Sequence, residues 1–357
     1  MSGFGRAIYF LSAALILASC AAPQTQRVAV SDAATRAEAA LQLEIAAQEM
    51  VAEQKRLTRV YRRLATTAYA LCGEHVGPRI AAYEMVKPKG DIGETFAKVY
   101  GIKERPTLLF TLEGGPADQA GLKARDVIMT VNGVSTADKA ALGELTAKLS
   151  QEATIVFGVE RDGAPMNFTV QPERACRYSA RLSPGQSINA FADGNNIMVA
   201  RGMMSFAKDD DELALVLSHE MAHNAMKHIE AKQQNVGMGV LADLAAVLLS
   251  RGRSSNSNFA QLAGNAYSQE FEAEADYVGL YIMANAGMSI ADAPKFWRRM
   301  AAAHPANIKT NHAASHPSTS YRMVALEQTV KEINEKLARN APLVPNMKDG
   351  KPAAPEK

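Results

Sequence analysis

The sequence has no long run of basic residues, and its formal net charge is only +2 over 357 residues. Nothing in it therefore asks for nucleic acid as a partner. The body of the chain has no long apolar run either. Gly239–Ser250 is apolar but too short to cross a bilayer, and Asp243 interrupts it; it reads as a buried or interfacial helix. No internal repeat stands out. Cysteine is scarce, at three residues. What remains is ordinary for a soluble globular protein, 47% hydrophobic and 21% charged, and the length allows two domains with cores of their own.

The N-terminus is more informative. Arg6 precedes a short apolar stretch over residues 7–18, which ends in Leu17-Ala18-Ser19-Cys20. One basic residue, a short apolar run and small residues at its end read as a secretory signal rather than a membrane span. The segment resembles a bacterial lipoprotein processing site. That resemblance implies removal of residues 1–19, acylation of Cys20 and attachment to a membrane by several acyl chains. Ala21 stands where an Asp would signal retention at the inner membrane, so the expected location is the periplasm, at the outer membrane. Cys72 and Cys176 are then an even pair in an oxidising compartment, either bonded or two buried thiols.

Residues 20–36 read as a tether, and the composition turns helical from about Ala37 to Leu71. Leu57, Val60, Tyr61, Leu64 and Leu71 share one face at the spacing of a packed helix. Residues 86–175 differ. Thr107–Leu112 reads as a strand, Gly114–Leu122 as a turn into one helical turn, and Asp126–Val131 as a strand reaching the reversal Asn132-Gly133. Ala137–Leu149 looks helical, and strands at about 153–160 and 165–171 flank Asp162-Gly163. The stretches Gly115-Pro116-Ala117-x-x-Ala120-Gly121-Leu122 and Asp126-Val127-Ile128-x-x-Val131-Asn132-Gly133 resemble a PDZ domain of the bacterial envelope-protease type. The resemblance implies a groove that takes an extended peptide or a peptide C-terminus as an added strand. Tyr100-Gly101-Ile102 is the segment expected to capture the peptide carboxylate.

The chemistry lies further on. Asp209–Asp211 can cap a helix that runs through Leu213, Val216 and Leu217 into His219-Glu220-x-x-His223. Residues four apart on a helix share a face, so the two imidazoles can hold one Zn²⁺ while Glu220 serves as base for the attacking water. On a continued helix His228 falls on the opposite side, and the chain has Met226 and Ile229 where a metzincin needs Gly and His. His228 therefore reads as structural. A third ligand is sought in Glu270-Phe271-Glu272-Ala273-Glu274-Ala275-Asp276, on a second helix ending near Gly287. Glu272 and Asp276 share a face, one to bind metal and the other to accept a hydrogen bond from a ligand ring, with Glu270 and Glu274 as rivals.

From about Ile188 to Leu326 the chain resembles the HtpX and CAAX-prenyl-protease group of zinc metallopeptidases, closest to its soluble periplasmic members. Ile188-Asn189-Ala190-Phe191, the His-Glu-x-x-His helix, Glu272-x-Glu274-Ala275-Asp276 and His316-Pro317-Ser318-x-x-x-Arg322 carry it. The resemblance implies Glu272 as the third zinc ligand and Asp276 as the hydrogen-bond partner of a ligand ring. It also implies Asn189, Ala190 and Phe191 as an edge strand along which substrate lies, and His316 and Arg322 at the rim, aiding the developing oxyanion. The expected fold is α+β: a mainly helical gluzincin-type peptidase with a small edge sheet, its N-terminal helical part at 37–85 and its main part at 176–340. A β-rich PDZ domain at 86–175 interrupts it, and a disordered tail follows at 341–357. Cys72 and Cys176, near the two ends of the insertion, would clamp it if bonded. The expected substrates are unfolded or misassembled envelope proteins. The rival from another class is a periplasmic chaperone or assembly factor whose zinc site is latent or structural.

Overall fold

The computed structural model describes residues 25–149, 153–236, 238, 259–303 and 320–348. Residues 1–19, Cys20, His316, Gly239–Ser250 and the end of the tail lie outside them. Helix α1, Asp32–Thr67, is the longest element. It starts earlier than the expected tether allows, where the Ser31 hydroxyl accepts from Ala34 N at 3.2 Å. It also stops earlier than the apolar spacing suggests, so Leu71 belongs to the 3₁₀ segment Tyr69–His75 and packs on the core from there.

After this segment the chain leaves for the insertion through β1, Val76–Arg79, and returns through β8, Glu173–Cys176. The two strands pair antiparallel, Val76 opposite Cys176 and Arg79 opposite Glu173. Cys72 and Cys176 are bonded, with their Cα atoms 5.7 Å apart. A covalent tie thus closes the base of the inserted segment. Arg62 of α1 grips Glu173 with both carboxylate oxygens in reach, at 2.8 and 3.1 Å from Nε.

The insertion is a β-sheet flanked by helices. Its strands β2 (Ala82–Met85), β3 (Thr107–Thr111), β4 (Val127–Val131), β6 (Ile155–Arg161) and β7 (Ala164–Val170) follow the order β2-β3-β4-β6-β7, with β5 (Val134–Ser135) hanging on β4. Both reversals read from the sequence hold two positive φ angles, at Asn132 and Gly133 and at Asp162 and Gly163, as hairpins of this twist require. Side chains alternate across the sheet, except where the β2–β3 register shifts at Leu109, between the pairs Tyr83–Phe110 and Glu84–Leu108. Leu108 faces a core with Ile128, Phe157 and Val159, on which Leu142 of the following helix packs. Leu109 and Phe110 face another, with Phe96 and Ala47 of α1.

The sheet begins at Ala82, ahead of the expected boundary at 86. This corrects the groove as well. Tyr100-Gly101-Ile102 ends helix α2, Asp91–Tyr100: Gly101 is its left-handed cap, donating to Ala97 O, and Ile102 is buried. A glycine between apolar residues here stops a helix instead of opening a carboxylate loop. β2 is one of the two outer strands, and Ala81 just before it holds φ +58°.

The remaining elements form the larger core. Strand β9, Ser179–Ser183, runs parallel to β11, Asn196–Ala200, and β10, Ala190–Ala192, runs antiparallel to β11. The short helices α3 (Pro116–Gln119) and α4 (Lys139–Lys148) belong to the insertion, and α5 (Arg201–Phe206) leads to α6, Asp210–Ala225. Then come α7 (Phe259–Asn285), α8 (Ala293–Ala303) and α9 (Ser320–Ala338). Leu57 and Leu64 of α1 share one buried cluster with Leu213, Leu217, Tyr281, Phe296 and Ile333. The segments before and after the insertion therefore build a single core. Among the described residues no helix is long and apolar enough to cross a membrane.

Candidate metal centre and active site

Helix α6 starts under tight control. Asp209 caps it by accepting from Glu212 N at 2.9 Å, and Glu212 accepts from Lys208 N at 2.7 Å. Arg56 of α1 reaches Asp210 at 3.0 Å and the carbonyl of Ala207 at 3.1 Å. The whole stretch Leu213–Asn224 is buried. Helix α7 crosses it closely at Gly279, where a Cβ would stand 3.2 Å from His219 N. A side chain there would push the second ligand helix away from the first.

Across this crossing, three ligand atoms converge. His219 Nε2 lies 3.1 Å from His223 Nε2, and Glu272 has one carboxylate oxygen 3.3 Å from each ring nitrogen. His219, His223 and Glu272 form the group among the described residues that could hold a metal ion. Glu220, on the same turn of α6, is 2% exposed. Glu270 does not enter the cluster, and Glu274 faces elsewhere.

Each ligand ring is held from behind. His219 Nδ1 is 3.0 Å from Asp276 Oδ1. Arg322 donates to both oxygens of Asp276, at 2.7 and 2.8 Å, and lies 3.0 Å from Glu272 Oε2. Trp297 covers this group, 5.1 Å from the His219 ring and 5.3 Å from the guanidinium. Arg322 is 1% exposed. It does not line the rim as the resemblance implied: two buried carboxylates take its donors, so it holds a ligand and a ligand's partner in place.

His228 also corrects the sequence reading. Helix α6 ends at Ala225, and Lys227 takes φ +56°. That turn brings His228 back, its Nδ1 2.9 Å from His223 Nδ1 and its Nε2 3.0 Å from Glu274 Oε2. Only an unbroken helix would put His228 on the face opposite the ligands. Phe271 stacks on the His228 ring at 4.7 Å. Asn224 is another residue the sequence did not mark. It accepts from Gly194 N at 2.7 Å and donates to Asn196 O at 3.3 Å, fixing the β10–β11 hairpin to the end of the metal helix.

The electrostatics suit a cation. Burial alone would strip His219 of a proton, but hydrogen bonds to Asp276 and Glu272 and their charges push it up to about 10. His223 moves the other way, down to about 4, because burial outweighs its bond to Glu272. Asp276 lies below the usual carboxylate range: burial opposes this, and the Arg322 charge with bonds from His219 and Arg322 overrides it. With both rings neutral, the three formal carboxylates Glu220, Glu272 and Asp276 against one guanidinium leave −3 + 1 = −2. Two imidazoles and a carboxylate around that charge fit a divalent ion of borderline softness.

Beside the cluster, β10 is the outer strand of its sheet. Ala190 is buried and Phe191 is 45% exposed. Asn189 precedes the strand and accepts from Ala200 N at 3.0 Å.

Comparison with known proteins agrees with this geometry. Residues 163–330 match peptidase family M48, and residues 90–171 match the PDZ domain. The chain is 34% identical over 155 residues to the mitochondrial metalloendopeptidase OMA1 of Schizosaccharomyces pombe, covering 42% of this chain and 45% of that protein. It is 26% identical over 133 residues to the beta-barrel assembly-enhancing protease of Escherichia coli O157:H7, covering 33% of this chain and 27% of that protein. The chain thus spans less than half the length of these curated relatives. The segment that bears the metal cluster is thus similar to peptidase family M48, and the inserted sheet is similar to the PDZ domain.

Proposed function

We propose that this protein is a zinc-dependent endopeptidase of the bacterial envelope. It hydrolyses unfolded or misassembled periplasmic and outer-membrane proteins, is held at the membrane through Cys20, and recruits substrate through its PDZ domain. The observation that carries the reading is the convergence of His219, His223 and Glu272 beside Glu220 and a strand whose outer edge is unpaired among the described residues. A mitochondrial metalloendopeptidase and a beta-barrel assembly-enhancing protease among its relatives support the proteolytic part of it.

The two imidazoles and Glu272 would hold Zn²⁺, which would supply Lewis acidity to polarise the scissile carbonyl. The chain's own groups do the rest. Glu220 takes the proton of the attacking water and returns it to the leaving amine. Strand β10 takes the substrate backbone in extended form, which selects for unfolded segments and tolerates many sequences. Asp276 and Arg322 keep the ligands in register.

Purified zinc-loaded protein is expected to degrade casein, and a chelator to stop it. Glu220→Gln should keep the metal and lose cleavage by about 10²-fold or more. Unchanged cleavage by Glu220→Gln overturns the mechanism. A wild-type protein that binds unfolded chains without cutting them favours the chaperone reading.

A further inference from the structure

Helix α1 carries a ladder of three exposed cations at four-residue steps, Lys55, Arg59 and Arg63. Residues at this step share a helix face, about 6 Å apart along the axis. All three line a cleft of about 730 Å³, completed by Leu112 and Glu113 after β3, Asp210 at the start of α6 and Met288 after α7. None of the three lines the cavity of about 440 Å³ between α1, β2 and α4. The ladder is short of counter-charge. Asp210 is shared by Arg59 at 2.7 Å and Arg56 at 3.0 Å. Arg63 directs two donors at neutral acceptors, the carbonyls of Ala286 and Gly287, each at 2.8 Å. Lys55 has no partner among the described residues. Arg62, at the edge of the cleft, is matched by Glu173 at 2.8 Å. The four cations Lys55, Arg56, Arg59 and Arg63 against the two carboxylates Glu113 and Asp210 leave two positive charges in surplus. Val60, Leu112 and Met288 give the cleft a buried apolar lining.

We propose that this cleft is a separate substrate site, which takes an extended acidic segment of a protein chain along Lys55, Arg59 and Arg63. The spacing selects the ligand. Every second side chain of an extended chain stands about 6.6 Å from the last, close to the step of the ladder. Carboxylates at alternate positions therefore meet one cation each. The ladder is about 12 Å long, which suits three such carboxylates in a row and is too long for a single phosphate. The intervening side chains point away from α1, into a cleft whose lining includes Leu112 and Met288. The position ties the site to the metal centre. Arg63 holds the C-terminal end of α7, and Asp210 opens α6, so both ligand helices end on the cleft. His219 lies nine residues beyond Asp210 on α6, about 14 Å along the axis. A chain held here reaches the metal with several extended residues between its acidic stretch and the bond to be cut. The site thus favours unfolded chains that carry an acidic stretch beside the segment to be cleaved.

The inference rests on the endopeptidase reading for its purpose, and its test reads binding apart from hydrolysis. The full chain with Glu220→Gln is used, so that nothing is cut. The probe is a fluorescein-labelled decapeptide of alternating glutamate and valine, its C-terminus amidated so that no free carboxylate end is offered. The same peptide with glutamine for glutamate is the control. By fluorescence anisotropy the acidic peptide should bind about tenfold tighter than the control, and salt at about 0.5 M should remove most of that difference. Lys55→Glu turns an attraction into a repulsion at an exposed position. It should weaken the acidic peptide about tenfold and leave the control and the circular dichroism unchanged, while Lys55→Arg keeps the binding. Equal binding of the two peptides, no binding of either, or a Lys55→Glu protein that binds as before overturns the proposal. So does capture of phosphatidylglycerol vesicles, lost with Lys55→Glu, by a protein that binds neither peptide, because the ladder then serves a lipid surface. Casein cleavage by the wild type is scored separately. Cleavage beside a failed peptide test sinks this inference and leaves the endopeptidase reading standing, and peptide binding without cleavage does the reverse.

Discussion

His219 and His223 stand one turn apart on α6 and meet the same carboxylate at 3.3 Å, yet the groups behind them are opposite in kind. Behind His219 is a buried charge pair, Asp276 clamped by Arg322, with Trp297 over it. Behind His223 is a second imidazole, His228, which passes the contact to Glu274, and that carboxylate side chain is 46% exposed. Both arms do the same task. For Nε2 to bind a metal, Nδ1 must carry the proton and find an acceptor. Asp276 accepts from His219 directly. His228 accepts from His223 at Nδ1 only if its own proton sits on Nε2, facing Glu274. The difference teaches where rigidity resides: one arm is fixed by desolvated charge, the other by a relay that ends near solvent.

The strongest way to break the comparison is at the buried arm. Arg322→Leu leaves Glu272 and Asp276 buried without their guanidinium, and removing one partner of such a group costs about 3–5 kcal/mol. Urea unfolding of the metal-free protein should show that loss, and added Zn²⁺ should recover part of it by binding the native state. A loss near zero would mean that the carboxylates are neutralised some other way, and the contrast between the arms would collapse.

Next in size is Asp276→Asn. The amide oxygen can still accept from His219 Nδ1, but the negative charge behind the ring is gone. Metal affinity, read by competition with a coloured chelator, should fall about 10–100-fold. The fold should stay intact, because Arg322 keeps Glu272 as a partner at 3.0 Å. An affinity within threefold of wild type would show that orientation matters and charge does not.

These two arms were not equally legible in the sequence. The spacing of His219, Glu220 and His223 is a helical periodicity, and the crossing of α6 and α7 turns it into a site. The carboxylates four residues apart at 272 and 276 follow the same rule, with the family resemblance choosing between them and Glu270 or Glu274. Arg322 sits in the first turn of α9, but nothing in its sequence neighbourhood says that it is buried rather than at a rim. His228 was misplaced for a physical reason: a positive φ at Lys227, a residue with no turn signature, ends the periodicity on which the argument relied. The same failing moved the PDZ groove. Gly101 advertised a loop and capped a helix, while Ala81, which does precede the free strand, takes φ +58° without being glycine. Single-residue backbone reversals by non-glycine residues leave little trace in composition, and both misreadings hang on one.

The smallest effects should come from the relay, and they decide whether it is a relay at all. His228→Phe keeps a ring on Phe271 but removes the acceptor for His223, so metal affinity should fall at the low end of the range for such partners, about tenfold. Glu274→Gln keeps an acceptor for His228 Nε2 and loses only a half-exposed charge, which solvent screens; the expected change is threefold or less. The order matters more than the sizes. If Glu274→Gln matched Asp276→Asn, charge would be travelling through His228, and the two arms would be equivalent despite their different burial. If His228→Phe changed nothing, a water would be replacing it against His223, and the turn at Lys227 would be packing alone. Chelator competition on the three variants side by side, with cobalt in place of zinc to report ligand geometry through its visible spectrum, separates these cases. An unchanged spectrum with weaker binding is the outcome that fits a ring held by a distant carboxylate through a neutral imidazole.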